Sequence, residues 1–236
     1  MGGHFPTTRW SIVLGAAKTP SSPRARALHE LCDAYWRPLY AFLRRDGLSP
    51  EDAEDTVQGF LSSLLTGTGI AGADRDRGRF RSYLLAALRH YVSTERTRAQ
   101  AIKRGGGQVP VSLSIDHDDA ERTLEIPDDR TPEQAYAYAW AMEILGRARK
   151  RLHERYEKEG QAARFEALSP FLLAADAPRY REVAEQLSMS EANARVAVHR
   201  LRTRFRASLR DEVAETVSSA AEIDDELRAV IDAVRS

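Results

Sequence analysis

Three groups of side chains carry the chemistry open to this sequence. The string LSPEDAEDTVQGFLSSLL, residues 48–65, sets four carboxylates, Glu51, Asp52, Glu54 and Asp55, within five positions. A metal site would need them to converge, but Asp52 and Glu54 point in different directions on a helix and no histidine lies near. The second group is an arginine and aromatic series, Arg79, Phe80, Arg81, Tyr83, Arg89, His90, Tyr91, Arg96 and Arg98. Arginine can follow a phosphate chain, and an aromatic ring can stack on an unpaired base or simply fill a core. The third is YREVAEQLSMSEANARVAVHRLRTRF, residues 180–205, in which a short apolar stripe, a tight turn and a longer basic helix follow one another.

That third string has the layout of a helix-turn-helix, which needs a supporting helix, a turn and a second helix with one apolar and one polar, basic face. Val183, Ala184 and Leu187 form the first stripe; Ser190 caps the second helix, whose apolar positions are Ala194, Val198, Leu201 and Phe205. Glu191, Asn193, Arg195, Val196, His199, Arg200 and Arg202 are left on the other faces. The N-terminal part of such a helix reads base edges, and arginines further along meet phosphate. The turn places Ser188 where φ > 0 is expected, a conformation that Ser adopts at some cost. An ordinary helical hairpin with a solvated basic face is the competing reading.

Other chemistries find little footing. Cys32 is the single cysteine, so no intramolecular disulfide forms, and it is expected to pack as a small hydrophobe. The six histidines are scattered. A nuclease using the carboxylates with Mg²⁺ is the enzymatic alternative, but the sequence offers no phosphate-binding glycine loop, nucleophile–base pair or ligand set. No catalytic residue, metal or other cofactor is expected. The opening MGGHFPTTRWSIV lacks the charged head and apolar stretch of an export signal, and no run approaches the roughly 18 apolar residues of a membrane span. A cytoplasmic location is the expectation.

The elements that must position these groups are all helical. Apolar residues from Leu28 to Leu43 recur at three-and-four spacing after Ser21-Ser22-Pro23, and Gly47 stops that helix. Ser49 caps the next, with Pro50 at its first position. A third helix runs from about Arg79 to Ile102 and ends at three consecutive glycines, 105–107. Residues 108–130 read as an acidic linker, with extended pieces but no sheet. Thr131 then caps a second helical group at about 132–157, 160–173, 178–187 and 191–209. A last amphipathic segment follows from Val213 to Val234. The expected fold is all-α: residues 1–104, a linker 105–131, residues 132–210, and an acidic tail 211–236.

Formal net charge is zero, yet charge is segregated. Residues 74–104 hold nine basic side chains against three acids, and 191–210 hold six arginines against one glutamate. Residues 116–133 and 211–236 each hold eight acids against two arginines. With a Debye length of about 8 Å at physiological salt, a phosphate senses the nearest block rather than the sum. The tail could cover a basic DNA-facing surface, or its helix could complete the second core.

In this order the motifs resemble the sigma-70 family of RNA polymerase sigma factors, extracytoplasmic-function subgroup. LSPEDAEDTVQGFL is similar to the segment that docks on the polymerase β′ clamp, and YWRPLYAFLRRDGLS to the helix before it. FRSYLLAALRHYVSTERTRAQ resembles the helix that melts and reads the −10 element, and the helix-turn-helix resembles the −35 reader. The likeness covers roughly residues 24–104 and 132–210.

It implies that Asp52, Glu54, Asp55 and Gln58 meet the polymerase clamp, and that Arg79, Arg81, Arg89, Arg96 and Arg98 track the −10 backbone. Phe80, Tyr83 and Tyr91 would stack on a base or fill the core. Gly59 stands where relatives carry a larger polar residue and His90 where many carry Asn. Implied partners are core RNA polymerase (β′ clamp and β flap), promoter DNA and, as in many relatives, an anti-sigma factor, with no small-molecule substrate and no membrane insertion. The linker would run near the polymerase active-site path as a phosphate mimic, or act only as a tether. A helix-turn-helix regulator that never joins the polymerase is the alternative function.

Overall fold

A computed structural model of the chain describes residues 22–66, 79–102, 129–173, 179–217 and 219–235, and these are helical with no strand among them. The linker expectation, the loop after Thr66 and the Cys32 side chain lie outside the described residues. Nine α-helices occur among the described residues: α1 Ser22–Arg45, α2 Pro50–Thr66, α3 Phe80–Ile102, α4 Pro132–Lys158, α5 Ala162–Leu168, α6 Pro170–Leu173, α7 Tyr180–Gln186, α8 Glu191–Ala214 and α9 Ile223–Arg235. None is long and apolar enough to cross a membrane.

The helix ends follow local chemistry. After α1, Gly47 takes φ +96° and the Leu48 amide donates to the Leu43 carbonyl at 3.1 Å, closing the end as a Schellman turn. Ser49 Oγ accepts from the Asp52 amide at 3.1 Å, and Thr131 Oγ1 from the Gln134 amide at 3.2 Å, each capping the helix that starts there. The expected helix 160–173 is two. Pro170 has no N–H for the Glu166 carbonyl, and Ser169 Oγ donates to that oxygen instead at 3.3 Å. Helix α8 runs on to Ala214, so the tail proper is α9 and a short 3-10 turn, Ala220–Glu222, before it. Ser219 and Glu222 start that turn, the Ser219 amide donating to Glu222 Oε2 at 3.1 Å.

The contacts form two compact units. The first takes in residues up to 143 together with 214–236, and the second residues 144–213. The sequence partition had put 132–143 with the second group and left the tail apart. Aromatic burial draws the start of α4 into the first unit: Trp140 and Tyr136 are buried, and Trp140 Nε1 donates to Tyr35 Oη at 3.1 Å. Ala41, Ala135 and Ala139 form a small-residue contact that lets α1 and α4 approach closely. The Tyr136 hydroxyl donates to the Arg81 carbonyl at 2.9 Å, and burial pushes its pKa well above the ordinary tyrosine value.

A polar clasp holds α9 in that unit. Glu226 is 0% exposed, and its carboxylate accepts from Arg81 Nε at 2.7 Å and Nη2 at 3.1 Å, while Arg79 Nη1 stands 3.2 Å away. Arg81 also lies over the Trp140 ring at 4.7 Å. Further along the helix, Arg130 Nη1 donates to the Ala233 carbonyl at 2.9 Å. The tail therefore completes the first core, not the second.

Removing the buried carboxylate strands two guanidiniums. Glu226→Ala should lower the stability of the first unit by about 2–4 kcal/mol. Asp225→Ala, which removes an exposed first-turn carboxylate 3.6 Å from Arg79 and 2.7 Å from Arg228, should cost no more than about 1 kcal/mol. Denaturant melts followed by helical circular dichroism decide this; equal midpoints for the two variants would refute the clasp.

Candidate functional site

The acidic start of α2 divides by role. Asp52 is part of the cap, its carboxylate accepting from Ser49 Oγ at 2.7 Å. Asp55 is exposed, and Glu54 and Gln58 are half-buried. The inner face is Ala53, Val57, Phe60, Leu61 and Leu64. The carboxylates of Glu51, Asp52 and Asp55 thus stand at the positive end of the helix, facing solvent.

Gly59, one turn on, has a steric reason. A Cβ there would lie 2.6 Å from the Tyr91 hydroxyl of α3. Tyr91 packs beside Phe60, with ring centroids 5.6 Å apart. Burial raises the Tyr91 pKa, Glu95 adds to the rise and Arg98 opposes it. The mid-helix glycine that reads in the sequence as a defect is the space into which a tyrosine ring fits.

The α3 residues separate into three sets. Phe80 is 1% exposed and meets Tyr35 edge-on with centroids 5.0 Å apart, so it is core. Tyr83 and Tyr91 are half-buried, and burial raises the pKa of Tyr83 as well. Arg79 and Arg81 face Glu226 and are part-buried. Arg89, Arg96 and Arg98 are exposed, pairing with Glu133, with Asp46 at 3.2 Å and with Glu95 at 2.8 Å. Such surface pairs contribute about 0–1 kcal/mol, so a phosphate can displace the carboxylate. Phe42, Asp46, Arg89, Val92, Arg96 and Glu133 line a cleft of about 350 Å³. His90 is exposed on the same helix.

In the second unit, α7 and α8 are joined at a turn in which Ser188 takes φ +52°. The Met189 amide donates to the Ala184 carbonyl at 2.9 Å and the Ser188 amide to Glu185 at 3.2 Å, a Schellman closure with serine where glycine is usual. Ser190 Oγ then accepts from the Asn193 amide at 3.2 Å and starts α8. Ala194, Ala197, Val198, Leu201 and Phe205 are buried, a stripe that fixes the opposite face outward.

A stack ties the two helices together. Phe171 and Tyr180 lie 5.0 Å apart, Arg195 sits 4.5 Å over Tyr180, and Arg195 Nη2 donates to Glu191 at 2.6 Å. Arg202 donates through Nε and Nη2 to the Phe171 carbonyl at 3.2 and 3.1 Å. Arg204, which sequence reasoning passed over, pairs with Glu159 at 2.8 Å, and that bond raises its pKa further. The expected contact residues Ser190, Glu191, Asn193, Arg195, His199, Arg200 and Arg202 all stand exposed, and Arg195 and Arg202 also make contacts within the unit. The missed signal was the pair Phe171 and Tyr180, aromatics just before and at the start of the supporting helix.

Two variants probe this geometry. Ser188→Gly should stabilise the second unit by about 1 kcal/mol, since a non-glycine residue in the left-handed region costs about 1–2 kcal/mol; a thermal melt with no gain speaks against that turn. Gly59→Ala should gain about 1 kcal/mol in a Tyr91→Phe background, from helix propensity, and lose most of that gain beside the native Tyr91. Additive effects in the double-mutant cycle would mean the hydroxyl and the glycine do not meet.

Compared with family models, with curated proteins and with solved structures, the chain finds no match.

Proposed function

We propose that the chain is a sigma factor that binds core RNA polymerase and directs promoter recognition and transcription initiation. The observation that carries the reading is the α7–α8 arrangement. A left-handed turn at Ser188 and a cap at Ser190 start a helix with its apolar stripe inward. Asn193, His199 and Arg200 are exposed on it. These features support the reading, because a helix that enters the major groove needs an inward apolar stripe and an outward polar face.

Two features of the first unit support the polymerase and melting roles. Asp55 is exposed near the start of α2, where a basic clamp surface could meet it. Arg89 and Arg96 flank the cleft, Arg89 lying over the Phe42 ring at 5.3 Å, and their carboxylate partners are displaceable. A single DNA strand is a fitting occupant: its phosphates would replace Glu133 and Asp46 at the guanidiniums. The backbone-tracking role expected of five arginines is proposed here for Arg89, Arg96 and Arg98. Arg79 and Arg81 serve Glu226.

One observation favours the second reading, a helix-turn-helix regulator acting without the polymerase. Asp52 is occupied in capping α2, so part of the acidic cluster has a local purpose. The two readings part in one experiment. The full chain should retain bacterial core polymerase on affinity beads and restore run-off transcription from genomic fragments, and Asp55→Lys should weaken retention about tenfold or more with an unchanged melt. Specific DNA binding with no retention of core polymerase would leave the regulator reading in its place.

A further inference from the structure

Val196 is 49% exposed, and Ile231 and Val234 are the other large exposed hydrophobics among the described residues. Its place on α8 is specific. At 3.6 residues per turn it lies roughly opposite the stripe of Ala194, Ala197, Val198, Leu201 and Phe205, at the centre of the outward face. Asn193 and Arg200 adjoin it on one side and His199 on the other, all exposed. A β-branched residue there adds nothing to helix propensity and leaves about half of its surface open to solvent.

We infer that Val196 is a specificity residue that packs on the C5-methyl group of a thymine in the major groove, beside an adenine read by Asn193. The inference rests on the DNA-reading role proposed above and deepens it. Among the four bases, thymine alone presents an apolar group in that groove. The Asn side chain suits adenine, whose N7 and N6 form a matching acceptor and donor. Three residues along a helix advance about 4.5 Å, close to the roughly 3.4 Å between base pairs, so the two side chains address neighbouring pairs. The rigid setting suits the role: the Arg195–Tyr180–Phe171 stack and the Arg202 bonds to Phe171 hold α8 in place, so Val196 is presented on a fixed surface.

The test uses the full chain and duplex DNA selected from a random library, with each thymine of the selected site replaced in turn by deoxyuridine, which removes only the methyl group. One replacement next to an adenine should weaken binding about three- to tenfold, as loss of one buried methyl contact implies. Val196→Ala should bind the unmodified site more weakly by a similar factor, melt like the parent, and be indifferent to that deoxyuridine. Unchanged affinity at every deoxyuridine position overturns the inference, as does a Val196→Ala variant still sensitive to the same methyl. A library from which no sequence is selected takes down the DNA-reading role itself, and the inference with it.

Discussion

A carboxylate with no solvent exposure dictates much of the first unit. Moving an ion of this kind out of water costs several kcal/mol, which only closely placed opposite charges and hydrogen bonds can offset. Glu226 meets that requirement through Arg81 and Arg79, and the consequences spread outward. Arg81 must lie flat enough to present Nε and Nη2 together, and the Trp140 ring supports it from below. Trp140 in turn is oriented by Tyr35, and the backbone of Arg81 is held by the Tyr136 hydroxyl. Four stretches far apart in the chain are thereby brought to one register. An apolar contact tolerates sliding of a helix by a fraction of a turn; two guanidiniums converging on one carboxylate do not.

The same clasp changes the meaning of the charge count. By sequence the basic block 74–104 is uniformly available to a polyanion, yet two of its arginines are neutralised against a buried carboxylate. Exchangeability separates the rest from these. Arg96 and Arg98 form solvated pairs in which water and salt compete with the partner, and a strand of phosphates would compete better. Arg79 and Arg81 cannot be drawn away without leaving Glu226 uncompensated. Net charge on a segment therefore overstates what a ligand can reach whenever an acid from elsewhere in the chain is buried against it.

What was legible in the sequence were features with near partners. Ser49 with Asp52, Thr131 with Pro132 and Ser190 three residues before Asn193 all signal helix starts through bonds made within one turn. The turn at Ser188 was legible because it falls between the two apolar stripes, at the place where such a turn often carries glycine. What was not legible depended on distant partners. Glu226 is one of several acids in the tail, and nothing local marks it as the buried one. Gly59 reads as a defect because Tyr91, which requires the space, lies thirty-two positions later. The break at Ser169 was open to local reasoning, since Pro170 lacks the donor for a continuous helix; the helical periodicity of the flanking residues masked it.

In α8 the division between structural and available side chains is set by what each arginine can reach. Arg195 is near enough to the supporting helix to close a stack on Tyr180, Arg202 reaches a free carbonyl at Phe171, and Arg204 finds Glu159. These contacts steady the helix from its flanks, while Arg195 and Arg202 remain exposed. Opposite the buried stripe, Asn193, Val196, His199 and Arg200 adjoin one another and combine an amide, a methyl surface, an imidazole and one guanidinium, with the exposed Arg195, Arg202, Arg206 and Arg210 around them. Mixed donor, acceptor and apolar groups on a pre-positioned helix match a ligand with the same mixture at fixed spacing, as the edges of stacked base pairs provide.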